Sequence, residues 1–128
     1  MKRVVADASA LAAVIFQEPA SPIVEEALDG AIVFAPTLLI FELANAALKK
    51  MRRSPADGPR ILSALARGLE GRWRLNWHNV EPTDVTLVAN ATGLSIYDAS
   101  YLWLAGALGA DLVTLDERLA AASAERLV

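Results

Sequence analysis

Arg3-Val4-Val5-Ala6-Asp7-Ala8-Ser9 (RVVADAS, residues 3–9) decides the fold. A short β-branched apolar run ending in a carboxylate and then small residues reads as a buried strand of a parallel sheet that turns directly into a helix. The strand is expected over Arg3 to Ala6 and the helix from about Ala10 to Phe16. Asp7 then stands at the carboxyl edge of the sheet, where strand-to-helix junctions gather and where ligands of open α/β sheets bind.

The same alternation continues outward from this unit. Pro19 stops the first helix, and Ser21-Pro22 opens another that Asp29-Gly30 closes before a strand from Ala31 to Ala35. Pro36-Thr37 introduces a long helix over Leu38 to Arg53, with Leu39, Leu43, Ala46 and Ala47 at helical spacing, and Ser54-Pro55 breaks it. A helix from Gly58 to Leu69 precedes an edge strand within Arg72 to Val80, where Leu75 and Trp77 alternate with polar neighbours. Helices over Asp84 to Thr92 and Ile96 to Leu108 end at Gly93 and Gly109, residues suited to a left-handed stop. A strand from Asp111 to Leu115, a helix from Glu117 to Ala122 and a stub of strand over Glu125 to Val128 complete the chain. Alternating strands and helices predict an α/β fold: one domain over residues 1–128, a parallel sheet between helical layers.

Four acids sit inside apolar stretches: Asp7 in VVADAS, Glu42 in LLIFELAN, Asp98 in SIYDASY and Asp116 in VTLDERL. Two carboxylates about 4 Å apart repel by roughly 4 kcal/mol at an effective dielectric near 20, so ionised neighbours require a compensating cation. Asp7 and Asp116 follow strands, Glu42 lies about one turn into a helix that follows a strand, and Asp98 lies in the first turn of the helix feeding the last full strand. All four therefore fall on one edge, and if the first and fourth strands are neighbours at the switch point, as in a 3-2-1-4-5 order, the four can share one pocket. Asp111, at the other end of its strand, does not join them. Taken singly, each acid has a structural reading: Asp7 and Asp116 as helix caps, Asp98 as half of a capping box with Ser95, Glu42 as a partner of Lys49 or an arginine. Oxygen donors with no cysteine and one lone histidine, His78, favour Mg²⁺ or Mn²⁺ over zinc.

The net charge of -3 does not announce a nucleic-acid binder, but it is unevenly spread. Residues 49–74 carry +6, and the remainder -9. Lys49, Lys50, Arg52 and Arg53 open that segment and are candidate phosphate guides, with a solvated helix face as the structural alternative. Without cysteine there is no disulfide framework, which suits a reducing cytoplasm. No apolar run approaches the roughly 18 residues of a membrane span, and Asp7 interrupts the only stretch that resembles a signal peptide, so the amino terminus is expected to be mature.

Four blocks in this order, Asp7-Ala8-Ser9, Glu42-Leu43-Ala44-Asn45 on a Pro36-started helix, Gly93 to Ala99, and Thr114-Leu115-Asp116-Glu117-Arg118-Leu119, resemble the PIN-domain family, and within it the VapC-type toxin ribonucleases of toxin-antitoxin pairs. The resemblance implies a PIN-like three-layer α/β/α sandwich around a parallel sheet of four to five strands in the order 3-2-1-4-5. It implies a metal-dependent endoribonuclease with Mg²⁺ or Mn²⁺ held by Asp7, Glu42, Asp98 and Asp116, and with Ser9 and Thr114 as hydrogen-bond partners of those acids. It further implies an RNA substrate, a homodimer and a small VapB-like antitoxin whose tail covers the pocket. The rival readings are a PIN-fold scaffold without catalysis and a phospho-signalling or phosphatase domain. The latter fits poorly, because a receiver needs an acceptor Asp where Asn79-Val80-Glu81 stands and a phosphatase needs a second Asp in place of Ser9.

Overall fold

The computed structural model describes residues 1–71 and 74–126. Strand β1 (Arg3–Ala6) leads into α1 (Ala8–Ile15) and α2 (Ser21–Leu28), then β2 (Ile32–Pro36), α3 (Leu38–Arg53) and, after a 3-10 turn at Pro55–Asp57, α4 (Gly58–Glu70). Strand β3 (Asn76–His78), α5 (Pro82–Thr92), α6 (Ile96–Leu108), β4 (Asp111–Val113) and α7 (Glu117–Arg126) follow. The four strands are parallel, in the order β3-β2-β1-β4.

The sheet centres on β1 because its residues are apolar on both faces: Val4, Val5 and Ala6 are wholly buried. Val4 pairs with Val33 on one side and Asp111 on the other, while Val5 sits between Phe34 and Leu112. The chain therefore runs outward from β1 through β2 to β3 and returns to β1's far side as β4. The junction of β1 and β4 is the switch point. Helices flank the sheet: α1, α3 and α4 pack on one another, α6 lies against β1 and β2, and α5 packs on α6. On α3, Leu39, Leu43 and Ala47 are buried at a spacing of four residues, the stripe that turns this helix to the core. Gly93 and Gly109 adopt φ of 75° and 60° and end α5 and α6 in the left-handed conformation.

Three expectations need correction. The fifth strand over Glu125 to Val128 is absent as far as the described residues reach, because α7 runs on through residues 125–126; residues 127–128 lie outside the described set. Ala120, Ala121, Ala122 and Ala124 offer no stop signal, so the helix propagates beyond Ala122. The first helix begins at Ala8 rather than Ala10, because Asp7 caps it directly. The edge strand is shortened to Asn76–His78; Arg72 and Trp73 of its expected range are outside the described residues. Among the described residues no helix is long and apolar enough to cross a membrane.

Candidate active site

Asp7 leaves β1 with its backbone N–H donating to the Val113 carbonyl of β4, which fixes it at the switch point. Its side chain is 4% exposed and fully engaged. Oδ1 accepts from the Ala10 N–H at 3.0 Å, the N-cap bond of α1, and from Ser9 Oγ at 2.7 Å, while Oδ2 accepts from Thr114 Oγ1 at 2.5 Å. Each hydroxyl thus spends its single proton on Asp7. As acceptors the same hydroxyls take N–H groups of the loop after β4: Leu115 donates to Ser9 Oγ at 2.9 Å and Asp116 to Thr114 Oγ1 at 3.0 Å. Two small side chains therefore pin the loop bearing Asp116 to the strand end bearing Asp7.

The other acids arrive on helices. Asp116 caps α7 by accepting from the Leu119 N–H at 2.9 Å. Asp98 occupies the first turn of α6, its N–H held at 3.1 Å by the Ser95 hydroxyl. Glu42, in the second turn of α3, accepts a 2.5 Å hydrogen bond from the hydroxyl of Tyr101 on α6. Caps and cluster are consequently one arrangement: α1, α6 and α7 aim their amino termini at the same edge, and their positive dipole ends offset part of the repulsion among the acids.

That repulsion is felt across the group. Glu42 is raised above the usual carboxylate range, first by burial and then by the negative charges of Asp98 and Asp7, with the Tyr101 hydrogen bond pulling the other way. Asp98 is raised by burial and by Asp116 and Asp7, with Ser95 and the Arg118 guanidinium lowering it. Tyr101 is pushed upward by burial and by Glu42, so its proton stays on the phenol and the carboxylate remains the acceptor. Arg118 also donates to the Gly93 carbonyl at 3.1 Å, which holds it beside the acids.

The donor set suits a hard cation: four carboxylates on one edge, two of them destabilised as anions by burial and then by their neighbours. Among the described residues no three of them form a finished ligand cage. One oxygen of Glu42 takes no protein hydrogen bond among the described residues.

The basic candidates are not brought to the acids. Lys49, Lys50, Arg52 and Arg53 lie seven to eleven residues past Glu42 on α3, roughly 10–17 Å along the helix axis at 1.5 Å per residue. Lys50 is tied to Glu18 at 2.7 Å and lies 5.3 Å above the Phe16 ring. Together with Arg53, Arg60 and Arg67 it lines a cleft of about 400 Å³ floored by Phe16 and Ile61. Lys49 and Arg53, at spacings of seven and eleven, fall on the same stripe of α3 as Glu42. His78 packs its ring 5.3 Å from Phe34, and Trp77 and Trp103 fill in against the core; Trp73 lies outside the described residues.

Sequence reasoning missed Tyr101 and Arg118. Tyr101 stands three residues after Asp98, on the same helix face, and that spacing was the available signal.

A sequence model of the PIN domain matches residues 4–125. The chain is 32% identical over 121 residues to Ribonuclease VapC3 of Pyrobaculum aerophilum, covering 92% of each chain. Its structure superposes on the crystal structure of PAE2754 from Pyrobaculum aerophilum with a TM-score of 0.76 at 28% identity, covering 95% of this chain and 85% of that one.

Proposed function

We propose, for a chain that belongs to the PIN-domain family and is of its VapC type, the metal-dependent endonucleolytic hydrolysis of RNA as the toxin of a type II toxin-antitoxin pair. The observation that carries the proposal is the meeting of Asp7, Glu42, Asp98 and Asp116 at the switch point, with burial and mutual repulsion raising Glu42 and Asp98. Asp7, Glu42, Asp98 and Asp116 would hold Mg²⁺ or Mn²⁺, which supplies a Lewis acid for the phosphate and lowers the pKa of water.

The chain's own part is placement. Ser9 and Thr114 fix both oxygens of Asp7 and with them the approach of the Asp116 loop. Tyr101 holds Glu42 toward the edge. No side-chain nucleophile is required, since water is the attacking group. Lys49 and Arg53, in line with Glu42 and roughly 10–17 Å along α3 from it, would receive phosphates away from the cut, with Lys50 and Arg52 bordering that path. In the family setting the partners are RNA, a VapB-like antitoxin and a second copy of the chain, in the cytoplasm.

The test is cleavage of labelled RNA with Mg²⁺, with Mn²⁺ and with chelator, comparing the native chain with Asp7→Asn. Cleavage is expected only with a divalent ion and is expected to fall at least a hundredfold in the variant. Metal-independent cleavage, or equal cleavage by Asp7→Asn, rejects the mechanism.

A further inference from the structure

Of ten large apolar residues left exposed among the described residues, five sit within two positions of one of the four clustered acids: Ile40 and Phe41 before Glu42, Ile96 and Tyr97 before Asp98, and Leu115 before Asp116. The remainder are scattered. Phe41 and Tyr97 are 77% and 62% exposed, and among the described residues they are the only exposed aromatic side chains. Neither contributes much to folding in this position, since a ring that stays in water gains little. Their placement follows from helix geometry. Glu42 faces Tyr101 of α6, and its neighbour Phe41, about 100° around α3, is turned outward; Tyr97 is turned outward in the same way beside Asp98 in the first turn of α6.

The chemistry around them narrows the occupant. Beside the acids the cation that the structure supplies is Arg118, which is engaged with the Gly93 carbonyl and Asp98, and the cations of α3 begin some 10 Å away along the helix. The part of a nucleotide that can be held beside a negative centre without a counter-charge is the base, which is neutral and offers a π-face to any aromatic ring. A second copy of the chain docking on this face would instead bring two sets of carboxylates together. We infer that Phe41 and Tyr97 are stacking platforms for the nucleobases on the two sides of the phosphodiester held at Asp7, Glu42, Asp98 and Asp116. This rests on the RNA-cleaving reading given above. It assigns base contact to two residues outside the acid set, and it implies tolerance of base identity, because stacking does not read hydrogen-bond edges.

The experiment uses a short labelled RNA with one cleavage position and two versions of it, each lacking the base on one side of the cut. Phe41→Ala and Tyr97→Ala are expected to raise KM about tenfold on intact RNA with kcat unchanged. Each variant is expected to lose that effect on one of the two abasic RNAs, and Tyr97→Phe to restore the native KM. The same pattern is expected in the Kd of the Asp7→Asn background, measured by fluorescence anisotropy with Mg²⁺ present. An unchanged KM, an equal defect on intact and abasic RNA, or a fall in sedimentation mass in place of an RNA defect overturns the inference; the last would mean that the rings meet a second copy. RNA that binds with the abasic pattern but is never cut would leave the stacking role standing and remove the nuclease reading, so the two failures are separable.

Discussion

Asp98 is held at a cost to the fold. Burial and the charges of Asp116 and Asp7 raise it, as burial and the charges of Asp98 and Asp7 raise Glu42, from ordinary values of 3.8 and 4.5. The folded chain therefore binds these protons more tightly than the unfolded chain, so the stability they confer is full below the ordinary carboxylate range and is lost as pH rises through the raised values. Without divalent ions, Asp98→Asn is expected to raise the melting temperature at pH 7 while abolishing cleavage; a lower melting temperature would show that the charge is welcome there. Tyr101→Phe makes a second prediction. Its hydroxyl draws the Glu42 pKa down, so removing it is expected to move the acid limb of the pH–rate profile to higher pH and to lower kcat about tenfold at pH 6. An acid limb that stays in place would refute the coupling. Residues of this kind differ in how far they can be read in advance. The acids stood out because charge interrupts apolar runs, whereas Tyr101, 1% exposed in an apolar helix, has the sequence signature of ordinary core.

Elements were legible where both ends carry punctuation. Helices α3 and α6 span the expected residues, bounded by Pro36-Thr37 and Ser54-Pro55 in one case and by Ser95 and Gly109 in the other. Where punctuation is missing, the boundary moved: the alanine-rich end of α7 ran on, and the weak alternation before His78 shrank to three residues. Spacing between elements was not legible at all. Gly68 lets α4 approach α1 so closely that a Cβ there would lie 2.5 Å from Ile15 Cγ1, and nothing in the sequence marks that contact. Gly68→Ala is accordingly expected to cost about 1–3 kcal/mol in denaturant unfolding despite its better helix propensity, through overpacking against a β-branched side chain. Along α3, reversing Lys49 and Arg53 to Glu is expected to weaken RNA binding and flatten its salt dependence, while the same change at Arg52, about 80° from the Glu42 stripe, should do less. Equal effects at all three positions would mean that the segment acts only through net charge.

At the scale of the whole molecule, the order β3-β2-β1-β4 agrees with the first four strands of the 3-2-1-4-5 order that the PIN resemblance implies. The match of the PIN domain to residues 4–125 fits a fold that uses nearly its full length to bring four acids together. A folded chain with that edge formed should bind the ion and an unfolded one should not. At a hundredfold excess over Kd, Mn²⁺ is then expected to stabilise the fold by about 2.7 kcal/mol, read as a rise in melting temperature that Asp7→Asn and Asp116→Asn abolish. An equal rise in the variants would assign the ion to another place.

Ser9 and Thr114 clasp Asp7 although they stand 105 positions apart in the sequence. A growing chain carries Asp7 and Ser9, but lacks the second hydroxyl that secures Asp7 and the acid at 116 until residues 114–116 have been added. Every truncated product short of that point is an incomplete blade. Synthesis itself thus delays the clasp: the edge that gathers the acids is finished only once residues 114–116 have been added.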